Sequence, residues 1–244
     1  MSAVDAPVQG AAAPPLRGAA LLLETTGAHC AAALRRDDGL VLVESEPMAR
    51  GHAERLFPII ERLFSRADMS LDAVSGFAAV RGPGSFTGVR LGLAAVRGFA
   101  LARGSNAVGI DGFWAIAAAA HAAGLRAEEV WVLFGKTPRF VRRAFCLDDA
   151  GAAPLGPMAP VAGDARPEAR TPLIGPGAAA FAAPLGAAPA GEFDAVDPAA
   201  ALRLWTAGSG AVGPPSPLYL RPPDAAPSQE ARPRRLGPRP ALDA

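Results

Sequence analysis

Lysine is almost absent from this sequence: Lys136 is the only one, and the other basic residues are arginines. A P-loop requires a lysine directly after its second glycine, because that side chain reaches the nucleotide phosphates. In the glycine-rich stretch RGPGSFTGVRLG, Gly88 is followed by Val89 and Arg90. The stretch is therefore not a P-loop.

Cysteine and histidine are also scarce. Cys30 and Cys146 lie in apolar, strand-like runs without a metal-ligand spacing, so we expect small buried hydrophobes in a reducing cytosol. His29, His52 and His121 are far apart in the chain, and no HExxH motif is present. The sequence therefore predicts no metal site or other cofactor and argues against a zinc protease.

Neither a charge excess nor a long apolar run is present. The 24 basic and 23 acidic residues give a net charge of +1, so any RNA contact must be local or made through a partner. The most apolar stretch, residues 91–102, is short and interrupted by Arg97 and Gly98. We expect no signal peptide, no membrane span and a cytoplasmic location.

Periodicity predicts two mixed α/β halves, residues 19–110 and 111–222, between disordered Ala/Pro/Gly-rich tails, residues 1–18 and 223–244. A three-strand meander opens the first half and is followed by alternating helices and strands. The predicted elements are strands at 19–25, 28–35, 39–46, 74–80 and 107–110, and helices at 53–66, 87–102 and 113–123.

The glycine-rich loop fits neither of two other familiar motifs. A dinucleotide fingerprint would need glycine at Thr87, and a nucleophile elbow around Ser85 would need glycine at Pro83 and Thr87. Two interpretations stay open: a weak anion site at a helix N-terminus, or a tight turn with at least one glycine at positive φ. The residues concerned are Gly82, Gly84, Ser85, Thr87 and Gly88.

The two helices of the first half carry apolar stripes wide enough to serve both the sheet and a neighbouring protein. Gly92 thins the surface of the second helix, where a partner helix could approach closely. The predicted partner-binding residues are Leu56, Ile60, Leu63, Val89, Gly92, Leu93 and Val96. The alternative is that these stripes simply face the sheet.

Four stretches resemble the TsaB (YeaZ) family: LLLETTGAHCAAAL, GHAERLFPIIERLF, RGPGSFTGVRLGLAAVRGFALA and PLYLRPPDA. The resemblance implies an actin-like (ASKHA) α/β fold with two βββαβα-type halves, the second degenerate. It also implies a non-catalytic subunit that binds and activates TsaD in threonylcarbamoyl transfer to tRNA, through a four-helix contact. TsaE would join through the complex, tRNA contact would be indirect, and the isolated chain could form a homodimer. The family's historical glycoprotease label is not taken as an activity.

Two stretches depart from the family pattern. Most members carry aspartate where this chain has Glu24, ahead of Thr25 and Thr26, which indicates a vestigial nucleotide loop. The alternative function is an ATPase or sugar-kinase-like enzyme that acts through Glu24 and the glycine-rich loop. In FGKTPRFVRR, residues 134–143, three arginines form either a solvated hairpin or a patch that contacts RNA or a partner.

Overall fold

The computed structural model describes residues 18–162, 165–168 and 170–220, so the predicted tails lie outside it except for Gly18. A first sheet is built on the expected meander, in which neighbouring strands pair antiparallel. Its strands are β1 (Ala19–Glu24), β2 (His29–Arg35) and β3 (Val41–Pro47).

Two further strands extend this sheet in parallel. β4 (Val74–Val80) pairs with β1, and β5 (Ala107–Ile110) pairs with β4. Because β1, β4 and β5 run the same way, their carboxyl ends meet at one edge of the sheet, where α/β proteins commonly place their sites. Glu24, Arg81 and Asp111 therefore come together at this edge.

Helices cover both faces of the first sheet, since alternate residues of its fully buried central strand point to opposite sides. α1 (His52–Ala67) and α2 (Phe86–Arg103) pack with Leu21 and Leu23. α3 (Gly112–Ala122) and α5 (Pro198–Thr206) belong to the core on the side of Ala20 and Leu22. The same core continues into the second sheet.

The second sheet is smaller. β6 (Ala127–Lys136) and β7 (Arg139–Asp148) form a long hairpin, flanked by β8 (Gly151–Pro154), β9 (Ala159–Pro160) and β10 (Leu173–Ile174). α4 (Ala178–Ala182) packs on its outer side through Phe181, beside Trp131 and Phe140. Reduced strands and one short helix make this half degenerate, as predicted.

The fold class is confirmed: both halves are mixed α/β, and the first has the strand order β3-β2-β1-β4-β5 of an actin-like half. The predicted boundary at residue 110 does not divide the core. α5 packs on β1 and β2, and β11 (Val212–Gly213) pairs with β5 at the far edge of the first sheet. Within the described residues, no helix is both long and apolar enough to cross a bilayer.

Candidate functional site

The glycine-rich loop lies directly against the turn that follows β1. Ser85 N donates to the Thr26 carbonyl at 2.7 Å, and Thr25 Oγ1 donates to the Gly88 carbonyl at 2.7 Å. A Cβ at Gly84 would clash with the Thr26 carbonyl oxygen, and one at Gly88 with the Thr25 carbonyl oxygen. The chain's own backbone thus occupies the space that these two glycines open.

Gly82 supplies the unusual backbone conformation of the loop, with φ at 107°. The predicted positive-φ glycine is therefore confirmed. Its carbonyl accepts from Gly112 N at 2.9 Å, and the preceding Arg81 carbonyl accepts from Leu218 N at 2.7 Å. The loop thus joins the start of α3 and the end of the described chain to the first sheet. Ser85 caps α2, and Thr87 is exposed in its first turn.

Glu24 is only 3% exposed, and one oxygen of its carboxyl group is hydrogen-bonded within its own turn. Oε1 accepts from Thr26 N at 2.6 Å and from Thr26 Oγ1 at 2.7 Å, while Oε2 has no hydrogen-bond partner among the described residues. Burial raises the pKa of Glu24 to about 7, and the bonds from Thr26 and Gly27 oppose that rise. The loop at Glu24, Thr25 and Thr26 therefore folds back on itself.

The predicted partner-binding side chains point inward. All seven residues of that prediction are buried, and the six with apolar side chains pack against the first sheet. Gly92 faces Thr25, whose Oγ1 would lie 2.7 Å from an added Cβ. Both apolar stripes therefore face the first sheet, which is the alternative that the sequence left open. A partner must meet the outward faces instead. The buried residues are Leu56, Ile60, Leu63, Val89, Gly92, Leu93 and Val96.

The outward face of α2 is largely apolar, and Phe57 of α1, whose other exposed residues are mostly charged, adjoins it. Of the five exposed large hydrophobic residues in the described chain, Phe57 on α1 and Phe86 and Leu101 on α2 account for three. Phe57 is 50% exposed and Leu101 is 85% exposed. Phe57 meets Phe99 of α2 edge to face, with ring centroids 6.2 Å apart. We call the surface formed by Phe57 and the outward residues of α2 the outer helix face. Its α2 members are Leu91, Ala94, Ala95, Gly98, Leu101 and Ala102.

Residues 214–220, which we call the C-terminal strap, run along the other flank of α2. Arg97 donates to the Pro215 carbonyl, and Arg90 Nε donates to Tyr219 Oη at 2.9 Å. The Tyr219 ring stacks on Phe86 at a centroid distance of 5.4 Å. In the sequence, this segment was recognised only through the motif PLYLRPPDA, and the motif did not indicate where the segment packs.

The arginine-rich hairpin of β6 and β7 is largely structural. Arg143 pairs with Asp111 at 2.8 Å, and Arg142 stacks on Trp131 at 4.0 Å. Asp111 also caps α3, accepting from Phe113 N at 2.8 Å. Of the three arginines in the predicted patch, only Arg139 is exposed near the hairpin tip. Sequence spacing could not show that Arg143 meets Asp111, since the two residues are 32 positions apart.

The histidines lie apart in the structure, as they do in the chain. His29 belongs to β2, His52 begins α1 and contacts the Gly27 carbonyl, and His121 of α3 contacts the Asp148 carbonyl. Among the described residues, no three histidine, cysteine or acidic side chains are grouped so that they could hold a metal ion.

Comparison with known proteins identifies relatives over different parts of the chain. The family model for TsaD, tRNA N6-adenosine threonylcarbamoyltransferase, matches residues 43–134. The tRNA threonylcarbamoyladenosine biosynthesis protein TsaB of Escherichia coli is 33% identical over 37% of this chain and 39% of its own length. The chain thus spans about two fifths of that TsaB relative. An uncharacterised Mycobacterium tuberculosis protein is 32% identical over 83% of this chain and 90% of its own length.

Two solved structures from Pseudomonas aeruginosa share the fold along their entire lengths. One, described as an uncharacterised protein with similarity to peptidase YEAZ, is 25% identical with a TM-score of 0.67 over 84% of this chain. The other, YeaZ, is 24% identical with a TM-score of 0.65 over 83% of this chain. Taken with the TsaB match and the actin-like topology, these likenesses show that the chain belongs to the TsaB (YeaZ) family.

Proposed function

We propose that the chain is a non-catalytic subunit that binds and activates TsaD in threonylcarbamoyl transfer to the adenosine beside the tRNA anticodon. The observation that carries this proposal is the outer helix face, an exposed apolar surface of α2 that Phe57 of α1 extends. Exposed apolar patches of this kind mark protein interfaces. The name of the E. coli relative, a tRNA threonylcarbamoyladenosine biosynthesis protein, supplies the pathway. TsaE then joins through the complex, and the same face allows a homodimer in isolation.

The closed glycine-rich loop supports a subunit without nucleotide chemistry. Thr25 and Thr26 carbonyls lie where an anion would approach the start of α2, and Glu24 bonds to its own turn. An ATPase or sugar kinase acting through this loop would need that space and that carboxylate. The proposal therefore assigns the loop a structural role and assigns catalysis to the partner.

Small residues on α2 fit a close helix contact. A Cβ added at Gly98 would have no atom within 4 Å, so a helix of a partner could approach its backbone directly. With Phe57 and Leu101 on either side, the centre of the contact would be apolar, as interface cores are. We expect a total buried area on the order of 1,200–2,000 Å².

Gly98→Leu tests this surface. Because the position is open, the added side chain should not lower the melting temperature of the isolated chain, while blocking the close approach to TsaD. We expect a loss of affinity of roughly tenfold or more, measured by titration calorimetry with the cognate TsaD. Gly92→Leu is unsuitable for this test, since Gly92 is buried against Thr25.

Gly156→Leu provides the matched control, because Gly156 is equally free of neighbours but lies beyond β8 in the second half. It should fold and bind TsaD like the parent chain. Full affinity of Gly98→Leu would show that the outer helix face is not the interface. ATP hydrolysis by the isolated chain that disappears in Glu24→Ala would instead establish the enzymatic alternative.

A further inference from the structure

We propose that the strap flank of α2 binds single-stranded RNA, with phosphates on Arg90 and Arg97 and an unstacked base on Phe86. The proposal goes beyond partner binding and rests on the proposed function only for the choice of tRNA as the RNA. It concerns a local site in a chain of nearly neutral net charge.

The first argument is the local charge. Between residues 73 and 110 the chain contains four arginines and no aspartate or glutamate. Arg103 is paired with Asp72, but no ion pair involves Arg90 or Arg97 among the described residues. Their recorded partners are neutral, Tyr219 Oη and the Pro215 carbonyl. Two uncompensated guanidinium groups, two helical turns apart, are therefore available to an anionic backbone.

The second argument is the aromatic group beside these charges. Phe86 is 48% exposed, although a ring of this size is ordinarily buried. Tyr219 stacks on it at an interplanar angle of 25°, and the Arg90 guanidinium carbon lies 3.8 Å from its centroid. Exposed rings next to arginines form the platforms on which unstacked bases rest. An acidic protein would use the arginines and would have no need of the exposed ring, so the combination favours RNA.

The third argument is position. Arg97 meets the strap, whereas Phe99, two residues later, meets Phe57 of α1. Residues two apart on a helix point about 200° apart, so the strap flank and the α1 side lie on opposite sides of α2. Ala94 and Leu101 of the outer helix face lie one helical turn from Arg90 and Arg97, so RNA bound at the strap flank would lie directly beside a protein on the outer helix face.

The test uses the full-length chain, a fluorescent tRNA anticodon stem–loop and anisotropy at low salt. Removing both charges in Arg90→Ala/Arg97→Ala should lower the salt dependence of binding, with the slope reduced by roughly 0.7 for each lost phosphate contact. Phe86→Ala should weaken binding of the stem–loop by roughly fivefold or more, and should leave binding of a fully paired RNA duplex unchanged.

Arg103→Ala is the matched control, because it removes the same charge from the same helix at a residue already paired with Asp72. Arg103→Ala should weaken binding of the RNA stem–loop less than Arg97→Ala does. Melting temperatures of all variants should stay close to that of the parent chain. Failure of the parent chain to bind the stem–loop, or equal binding by the double variant, would overturn the proposal.

TsaD affinity of the same variants separates this proposal from the proposed function. We expect Arg90→Ala/Arg97→Ala to keep full TsaD affinity. If it lost TsaD affinity and kept RNA binding, the flank would be part of a protein interface and the RNA site would be refuted. If neither the parent chain nor any variant bound TsaD, the proposed function would fail, and the result on RNA binding would still hold.

Discussion

Two buried carboxyl groups at the same edge of the first sheet are stabilised in opposite ways. Glu24 ends β1 with neutral donors around one oxygen, while the other has no hydrogen-bond partner in the described part of the chain. Asp111 follows β5, caps α3 and pairs with Arg143. Burial raises the pKa of both groups, but the charges of Arg143 and Arg81 oppose the rise only at Asp111.

The difference shows how one edge of a sheet serves two structural purposes. The Glu24 turn is held by backbone packing on glycines, which requires small residues and no charge. The Asp111 turn is held by an ion pair with Arg143 of β7, which requires charge and a second sheet. The first contact closes the glycine-rich loop, and the second connects the second sheet to the start of α3. Each contact can be disrupted by one substitution.

The largest effect is expected from Gly88→Ala. The new Cβ would clash with the Thr25 carbonyl, and backbone cannot move aside as a flexible side chain can. We expect a loss of about 4 kcal/mol or more in unfolding free energy, measured by urea denaturation. A loss below about 1 kcal/mol would mean that the Glu24 turn is not held by close backbone packing.

Arg143→Ala comes next, because it leaves Asp111 buried without its cation. Loss of one member of a buried pair costs about 3 kcal/mol or more. Arg142→Ala is the neighbouring control: Arg142 stacks on Trp131 and forms a long, partly exposed ion pair with Glu129, so about 1 kcal/mol is expected. Equal losses in the two variants would contradict the role of the Asp111 ion pair.

The pH dependence of stability distinguishes the two carboxyl groups further. The pKa of Glu24 rises from 4.5 to about 7 on folding. Its contribution to stability is therefore complete below pH 4.5 and is lost as the pH rises from 4.5 through about 7, by roughly 3 kcal/mol. Glu24→Gln mimics the protonated acid and should remove this dependence. Denaturation at pH values between 4.5 and 8 measures this dependence of the unfolding free energy on pH. If the variant showed the same dependence as the parent chain, the pKa of Glu24 would not be its cause.

Most of the first half could be predicted from the sequence, because its strands and helices show clear periodicity. The strands at 74–80 and 107–110 were predicted with the observed boundaries. Short strands such as Ala159–Pro160 and Val212–Gly213 were missed, since two residues carry no periodic signal.

The site was harder to predict than the fold. Helical spacing locates an apolar stripe, but it does not say whether the stripe faces the sheet or a partner. Leu56 and Val89 therefore proved to be buried, while the exposed Leu101 was overlooked. The contacts of Arg143 with Asp111 and of Arg90 with Tyr219 span 32 and 129 residues, and no local pattern encodes such pairs.

Gly98→Ala should have the smallest effect, and it tests why Gly88→Ala is expected to have the largest. Gly88 and Gly98 belong to the same helix, but only Gly88 lies against backbone. At Gly98 an alanine meets no neighbour and removes the entropic cost of a glycine in a helix, so stability should rise by roughly 0.5–1 kcal/mol. Urea denaturation of both variants measures the contrast. If Gly98→Ala also destabilised the chain, an unrecognised contact along α2, rather than the Thr25 carbonyl, would explain the loss at Gly88.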